Sequence, residues 1–527
     1  VVAQTAAHGI THHSTSIDSV YNPMYYGEVD FDPAAQHAYA VEALQSYGLG
    51  AALAPYVGTP ENVKLFMFDE VQGPLLKAGD PLSRAFCTYL ADNGQADLIA
   101  NGCSTVAPLV GAPAYYAASA PPADPAADPD AARLWYWQVR FFNWAGAEIL
   151  KQVRTAATEV GGASFPVVIN VGQPTSGYYG YAPGIETREL LRPRAPDNLP
   201  TIDLLWGEEF ALGRCYAQWN SVDADFWAAL AAPTSGTFGS YVHVNEGYVP
   251  HRVLASASRG GHSFDMFTFP MVLGTAGSGI SSAAWLDQAA LTNDLLARVE
   301  PTLYDGKRPP PAVAIFSGQT DPLWNFADRS PECWLCTPSN EDAGLHYLLT
   351  HAHYPVDFAI EEDVGALIDG QCVQGPALAG KQVLFLDRKF VSSCAFAAIR
   401  GWVEAGGTLV LGKELPLYDE YGQLDQTRRS WIGIEAGPDR STAVGAVITW
   451  GALALRPTPG VHYRALTIDS GDPSAVIVAT FTAGDAIGQV VAADVLRGAG
   501  RVRVASFSAG SWYLLPISDC AGASYSP

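Results

Sequence analysis

Nine residues, Asn62-Val63-Lys64-Leu65-Phe66-Met67-Phe68-Asp69-Glu70, constrain the fold of this chain more than any other stretch. Five of them are apolar, without an alternation that would leave one face in water, and the run stops on two adjacent acids ahead of Gln72-Gly73. A strand apolar on both faces fits a parallel sheet covered by helices. Carboxylates at the C-terminal end of such a strand stand where α/β barrels and open α/β sheets carry their chemistry. The competing reading is a strand followed by an ordinary acidic turn.

At 527 residues the chain exceeds one hydrophobic core, and about three domains are expected. A hydrophobic content of 48% with 16% charged residues describes a globular protein with a large interior. The formal charge of −23 argues against nucleic acid or an anionic membrane as partner, because either would repel such a surface. No apolar run approaches the ~18 residues of a membrane span. The chain starts at Val1 without a basic n-region and apolar stretch, so any targeting segment is expected to be already gone.

Eight cysteines in a chain of this size are not a disulfide scaffold. Cys87 and Cys103 flank a short segment and are candidates to pair. Cys333-Trp334-Leu335-Cys336 has no second ligand pair nearby and reads as a surface loop rather than a zinc site. No His/Asp/Glu spacing suggests a catalytic metal, and GxSxG, GxGxxG and Walker patterns are absent from the sequence. No cofactor or metal is expected. Thirteen Trp and 24 Tyr could supply sugar-stacking platforms, although core packing is the commoner use of such rings.

Taken in order, Asp32-Pro33 opens a helix that stops at Gly48. Strands are expected at Ala51–Val57 and 62–70, and a helix over 81–100. An exposed Ala/Pro/Asp loop spans Ala117–Ala132, and an amphipathic helix runs from about Leu134 to Ala157. Strand 166–170 ends at Asn170, strand 202–206 at Trp206 with Glu208-Glu209 beyond, and strand 241–244 at Asn245-Glu246. A helix over His251–Ser258 and a segment 264–269 follow. Strands alternating with helices, with polar residues at successive strand ends, point to a (β/α)8 TIM-type barrel over 1–305, which gathers those ends at one mouth. Glu300–Pro311 reads as a linker. Residues 306–425 alternate again as a small flavodoxin-like α/β domain, and 426–527 alternate in period two as a C-terminal β domain.

In this order of parts the chain resembles the glycoside hydrolase family 42 β-galactosidases. The carrying stretches are Gly27-Glu28-Val29-Asp30-Phe31 with the helix after it, Phe68-Asp69-Glu70, 165–170, 202–206, and Tyr241–Glu246. The last is Ala398-Ile399-Arg400-Gly401-Trp402-Val403-Glu404-Ala405-Gly406-Gly407-Thr408-Leu409-Val410, similar to that family's trimerisation domain, which is amidotransferase-like without that activity. The resemblance implies a retaining mechanism with two glutamates at the ends of barrel strands four and seven. Glu70 corresponds to the general acid/base and Glu246 to the nucleophile. It further implies a carbohydrate substrate, a homotrimer and a secreted or surface location.

Two departures stand out. Asp69 precedes Glu70 where the family has Asn, the residue that holds a substrate hydroxyl. The Asn-Glu pair sits instead at Asn245-Glu246, which leaves the two roles exchangeable. The first barrel strand, its helix and a substrate-binding Arg have no clear counterpart before Asp32. Other candidate substrate contacts are Asn170, Trp206 as a stacking surface, Glu208 (with Glu209) as a substitute carboxylate, and His243. His243 alternates with Val242 and Val244 but is equally well read as a core histidine. His262 and Asp265 are candidate rim residues, and His12-His13 read as an exposed pair. The alternative to a glycosidase is a degenerate glycosidase-like module within a larger extracellular assembly. A uronate-polymer lyase is a more distant reading, because no Tyr/His base arrangement can be located.

Overall fold

The computed structural model describes residues 13–25, 28–67, 76, 80–99, 122–170, 187–194, 198–209, 219–234, 236–243, 249–267, 282–305, 310–325, 338–368, 370–457, 460–469 and 472–510. The chain divides into two compact units. The first comprises Val1–Ala120, Trp137–Pro174 and Tyr178–Arg308, and the second Pro121–Tyr136, Thr175–Gly177 and Pro309–Pro527.

The first unit is built on six strands: β1 (His13–Ser16), β2 (Val63–Phe66), β3 (Val167–Asn170), β4 (Leu204–Glu209), β5 (Thr237–His243) and β6 (Ser263–Phe267). All pair in parallel, and their spatial order is their order in the chain. A doubly wound sheet reverses direction at a switch point, whereas a barrel adds each strand beside the last. This sheet has no reversal among its described strands. β3 is buried along its whole length, as the absence of alternation in its sequence requires.

Helices connect the strands: α1 (Asp18–Tyr25), α2 (Pro33–Ser46), α3 (Asp80–Asp92), α4 (Pro129–Gly161), α5 (Trp219–Ala231), α6 (Val249–Ala257) and α7 (Ser282–Asp305). Asp32 caps α2 as its sequence predicts, its Oδ1 accepting from the Ala35 N–H at 2.9 Å with Pro33 in the first turn.

Several expectations are corrected. The strand expected at Ala51–Val57 is helical, as Leu49–Leu53 and a 3₁₀ turn at Ala54–Tyr56. The run is apolar but Ala-rich, and Pro55 takes the early-turn position it tolerates in a helix. A strand and a helix do precede Asp32, namely β1 and α1, so the region before α2 is not empty of barrel elements. α7 continues to Asp305 through Pro301, which shortens the linker expected at Glu300–Pro311.

The second unit contains β7 (Val313–Ser317), β8 (Val356–Ile360), a hairpin of β9 (Gly365–Ile368) and β10 (Gln371–Gln374), β11 (Val383–Leu386) and β12 (Thr408–Leu411). It continues with β13 (Ile434–Ser441), β14 (Val447–Trp450), β15 (Leu453–Leu455), β16 (His462–Ile468), β17 (Ala475–Ala483), β18 (Val490–Arg497) and β19 (Gly500–Ala505). The parallel layer runs β8-β7-β11-β12-β19, with the reversal between β7 and β11 that marks a flavodoxin-like sheet.

β19 closes that layer and is also the first strand of the antiparallel continuation β18-β17-β14-β15, with β16 attached beside β18 and β13 beside β16. The flavodoxin-like and C-terminal β regions, expected as separate domains meeting at 425/426, therefore share one sheet. Period two in Arg501-Val502-Arg503-Val504 identifies a strand but does not name its partner, here Thr408–Leu411. Helices α8 (Pro338–His351), α9 (Ser393–Glu404) and α10 (Gln426–Ile432) pack in this unit, and α9 and α10 bury Ile399, Val403, Trp431 and Ile432 in the core with Leu384, Leu409 and Val502.

A disulfide joins Cys372 on β10 to Cys394 in the first turn of α9, 22 residues apart. Closing a loop of that length stabilises the fold by about 3 kcal/mol through the unfolded chain. The Cys372→Ser/Cys394→Ser double variant is accordingly expected to lose about that much in guanidinium unfolding of the oxidised protein; unchanged midpoints would rule the effect out. Cys87 is also disulfide-bonded, and the pairing with Cys103 expected for it lies outside the described residues. No cysteine is free among the described residues, and no helix there is long and apolar enough to cross a membrane.

Candidate functional site

The chemistry-bearing positions follow from how the first unit fixes the two ends of its strands. At the N-terminal end, Arg154 of α4 donates to the Pro200 carbonyl at 2.7 Å and to Asp203 Oδ1 at 2.8 Å. Asp203 Oδ2 accepts from the Val167 N–H at 2.9 Å. Lys151, one turn earlier on the same helix, donates to the Leu199 carbonyl at 3.0 Å. These bonds lock the starts of β3 and β4 to the covering helix, which is the stabilising role of that end in a parallel α/β sheet.

Towards the other end, strand register places Asn170, Trp206, Gly239 and Ser263 in one row across β3, β4, β5 and β6. Trp206 is 2% exposed. Its Nε1 donates to Ser263 Oγ at 3.2 Å, reaching across β5 at the position of Gly239. Phe66 of β2 stacks on its ring with centroids 5.8 Å apart and planes at 26°. Val168 and Leu204 complete this apolar patch. A Cβ on Gly239 would lie 1.8 Å from the Ser263 carbonyl oxygen, so the glycine is what permits the close approach of β5 and β6.

The expected site residues fall around this row in different ways. Asn170 lies in the row and is fully buried. Trp206 lies in it too, but its ring is enclosed by Phe66, Val168 and Leu204, which replaces the open stacking platform expected from the sequence with a core position. Backbone register puts Glu208, Tyr241 and Asp265 in the next row, two residues nearer the strand ends. His243 pairs with Phe267 one row further on. His262 is exposed just before β6. Asp69, Glu70, Asn245 and Glu246, together with His12 and the Cys333–Cys336 motif, lie outside the described residues.

Glu70 follows the second strand of the sheet and Glu246 the fifth, a separation of three strands that equals the step from barrel strand four to strand seven. Among the described residues no group of His, Cys, Asp and Glu is arranged to hold a metal ion. Ser263, Gly239 and Phe66 were not read as site-forming from the sequence. The one available signal was a glycine inside a strand pattern, which marks close backbone approach.

No family model and no curated protein matches the sequence. Solved structures do match it. A GH42 β-galactosidase from G. stearothermophilus superposes with a TM-score of 0.61 at 13% identity, covering 89% of this chain and 69% of that one. The β-galactosidase from Bacillus circulans sp. alkalophilus gives 0.60 at 13% identity, over 93% and 73%. That of the Antarctic haloarchaeon Halorubrum lacusprofundi gives 0.59 at 14%, over 93% and 74%. Cover of this extent cannot be confined to either unit alone. The chain thus has a fold similar to that of the glycoside hydrolase family 42 β-galactosidases, the family its sequence resembles.

Proposed function

We propose that the chain is a β-glycosidase acting by double displacement, with Glu70 and Glu246 as its catalytic pair. The observation that carries this reading is the likeness in fold, over about nine-tenths of the chain, to GH42 β-galactosidases. Fold by itself does not fix chemistry. Support specific to this chain comes from the positions of the two acids: each follows a strand of one sequentially ordered parallel sheet, three strands apart. In a closed barrel such ends face a common mouth. Retention of configuration needs the carboxyl groups about 5–5.5 Å apart, one protonated for the leaving oxygen and one ionised for the anomeric carbon.

The packed row of Asn170, Trp206 and Ser263 would form the floor beneath that mouth, with the Glu208 row above it. A β-galactoside-like carbohydrate is the proposed substrate, and a homotrimer the proposed assembly. Secretion or surface display fits the Cys372–Cys394 disulfide, since such bonds persist in oxidising compartments.

Steady-state kinetics on a panel of aryl β-glycosides test the reading. Glu246→Gln is expected to abolish turnover for every leaving group, by on the order of 10²–10⁴-fold or more. Glu70→Gln is expected to spare glycosides whose phenol leaves without protonation, because only the acid role is lost. The reverse pattern would exchange the two roles. Absence of turnover on all sugars by the wild-type protein would favour the degenerate module, for which Asp69 in place of the family's Asn already speaks.

A further inference from the structure

The C-terminal ends of the parallel strands in the second unit, where flavodoxin-like sheets place their ligands, are occupied by the chain's own carboxylates. After β7, Asp321 Oδ1 accepts from the N–H groups of Lys389 and Phe390 at 2.8 and 3.0 Å. After β8, Glu361 accepts from the Ser392 N–H at 2.6 Å and the Thr320 N–H at 3.2 Å. After β11, Asp387 accepts from the Glu414 N–H at 2.6 Å and from Ser508 Oγ at 2.8 Å. Arg388 pairs with Asp342 of α8 and donates to the Asp387 carbonyl at 2.8 Å. Glu341 takes the Gly510 N–H at 2.7 Å.

Each loop at this edge is therefore held by a buried acid from another loop or helix. Space has been left for them: a Cβ on Gly412 would lie 2.3 Å from Asp387 Cγ, and one on Gly318 2.2 Å from Glu361 Oε2.

We propose that this carboxylate cluster is a proton-controlled lock, holding the 388–393, 412–414 and 508–510 segments over the sheet at mildly acidic pH and loosening them as pH rises. The groups facing each acid give the reason. Asp342 meets Arg388, Ser317 and Asp321. Asp387 meets Glu414, Ser508 and Arg388. Glu361 meets Glu362, Thr320 and Ser392. Arg388 thus stands against the buried Asp342, Asp321 and Asp387, while Glu414 at the rim is paired with Arg464 at 2.9 Å. Burial, the largest influence on each, pushes Asp342 and Asp387 up to about 6 and Glu361 up to about 7.

When the loops open into water these acids return to the ordinary carboxylate range, so the closed state holds more protons between about pH 4 and pH 7. Closure is then strongest at the acidic end of that window and weakens as pH rises through it.

Hydrogen exchange of the whole protein, corrected for the intrinsic rate at each pH, tests the lock. Protection in the three segments is expected to fall about tenfold or more from about pH 5.5 to pH 8, the equivalent of one pH unit of linkage, while the β14–β15 pair changes little. Asp387→Asn keeps both hydrogen bonds, with Oδ1 accepting from Glu414 and Nδ2 donating to Ser508, but cannot titrate. It should reduce the fall. Protection that does not change with pH, or an unchanged fall in D387N, would overturn the proposal. If D387N does not fold, infrared titration of the wild type decides. A buried protonated-carboxyl band present near pH 5.5 and gone by pH 8 supports the lock, and its absence throughout excludes it.

Discussion

Arg388→Met is expected to destabilise the second unit by about 3–5 kcal/mol at neutral pH, the usual consequence of removing one partner from a buried ion pair. Arg388 is 2% exposed, and the carboxylate it pairs with, Asp342, is buried as well. In the cluster it faces Asp342, Asp321 and Asp387, and their charges together with the Asp342 hydrogen bond raise its own affinity for a proton despite burial. Without it, Asp342 keeps its desolvation and its repulsion from Asp321 with no cation to offset them. The sign of the pH effect follows. Already pushed up to about 6 with Arg388 present, Asp342 should rise further in R388M and escape its burial by taking a proton. The loss should therefore shrink towards pH 5 and be largest above pH 7. Denaturant unfolding of wild type and R388M at several pH values measures this directly. A loss that is uniform with pH would mean that packing of the guanidinium stem, rather than charge compensation, is what the fold needs.

Gly239→Ala is expected to be the most damaging glycine-to-alanine change among the described residues of the first unit. Its Cβ would meet the backbone of Ser263 at 1.8 Å from O and 2.7 Å from C, atoms that cannot swing away as a side-chain tip could. Relief requires β5 and β6 to separate, which strains their pairing at Gly239↔Ser263 and displaces the hydroxyl that accepts from Trp206. Overpacking of this sort costs about 1–3 kcal/mol, and here the upper end or beyond is expected because backbone must move. Fluorescence of the protein during urea unfolding would report it as a lower midpoint and a shift in tryptophan emission. Gly48→Ala offers a contrast, since nothing lies within 4 Å of a Cβ there and only the positive φ of 70° opposes it. Equal midpoints for G239A and wild type would show that β5 and β6 can part without loss.

Much of the parallel architecture was legible in the residues. Val167-Val168-Ile169-Asn170 and Val383–Leu386 are strands because apolar, β-branched or aromatic runs of that length, bounded by helical segments, have few other ways to be buried. Asp32-Pro33 starts a helix because a carboxylate can cap free N–H groups and a proline needs none. Ala51–Val57 is helical where its residues also fit a strand, because a short Ala-rich apolar run satisfies both and periodicity cannot arbitrate at that length. The site was only partly readable. Glu70 and Glu246 could be named from the sequence as candidates, but not the row of Asn170, Trp206, Gly239 and Ser263, whose members are up to 93 residues apart.

Local chemistry in the sequence determined most of the strands and helices and that the chain has two successive parallel α/β layers. Only the tertiary structure decided that Gly500–Ala505 returns to finish a sheet begun at Val313, that Trp206 is packed under Phe66, and that five loop and helix acids fill the edge of the second sheet. The reason is that periodicity records which face of an element is buried. The identity of the neighbour that buries it depends on contacts between residues distant in the chain, and these leave no mark on any one segment.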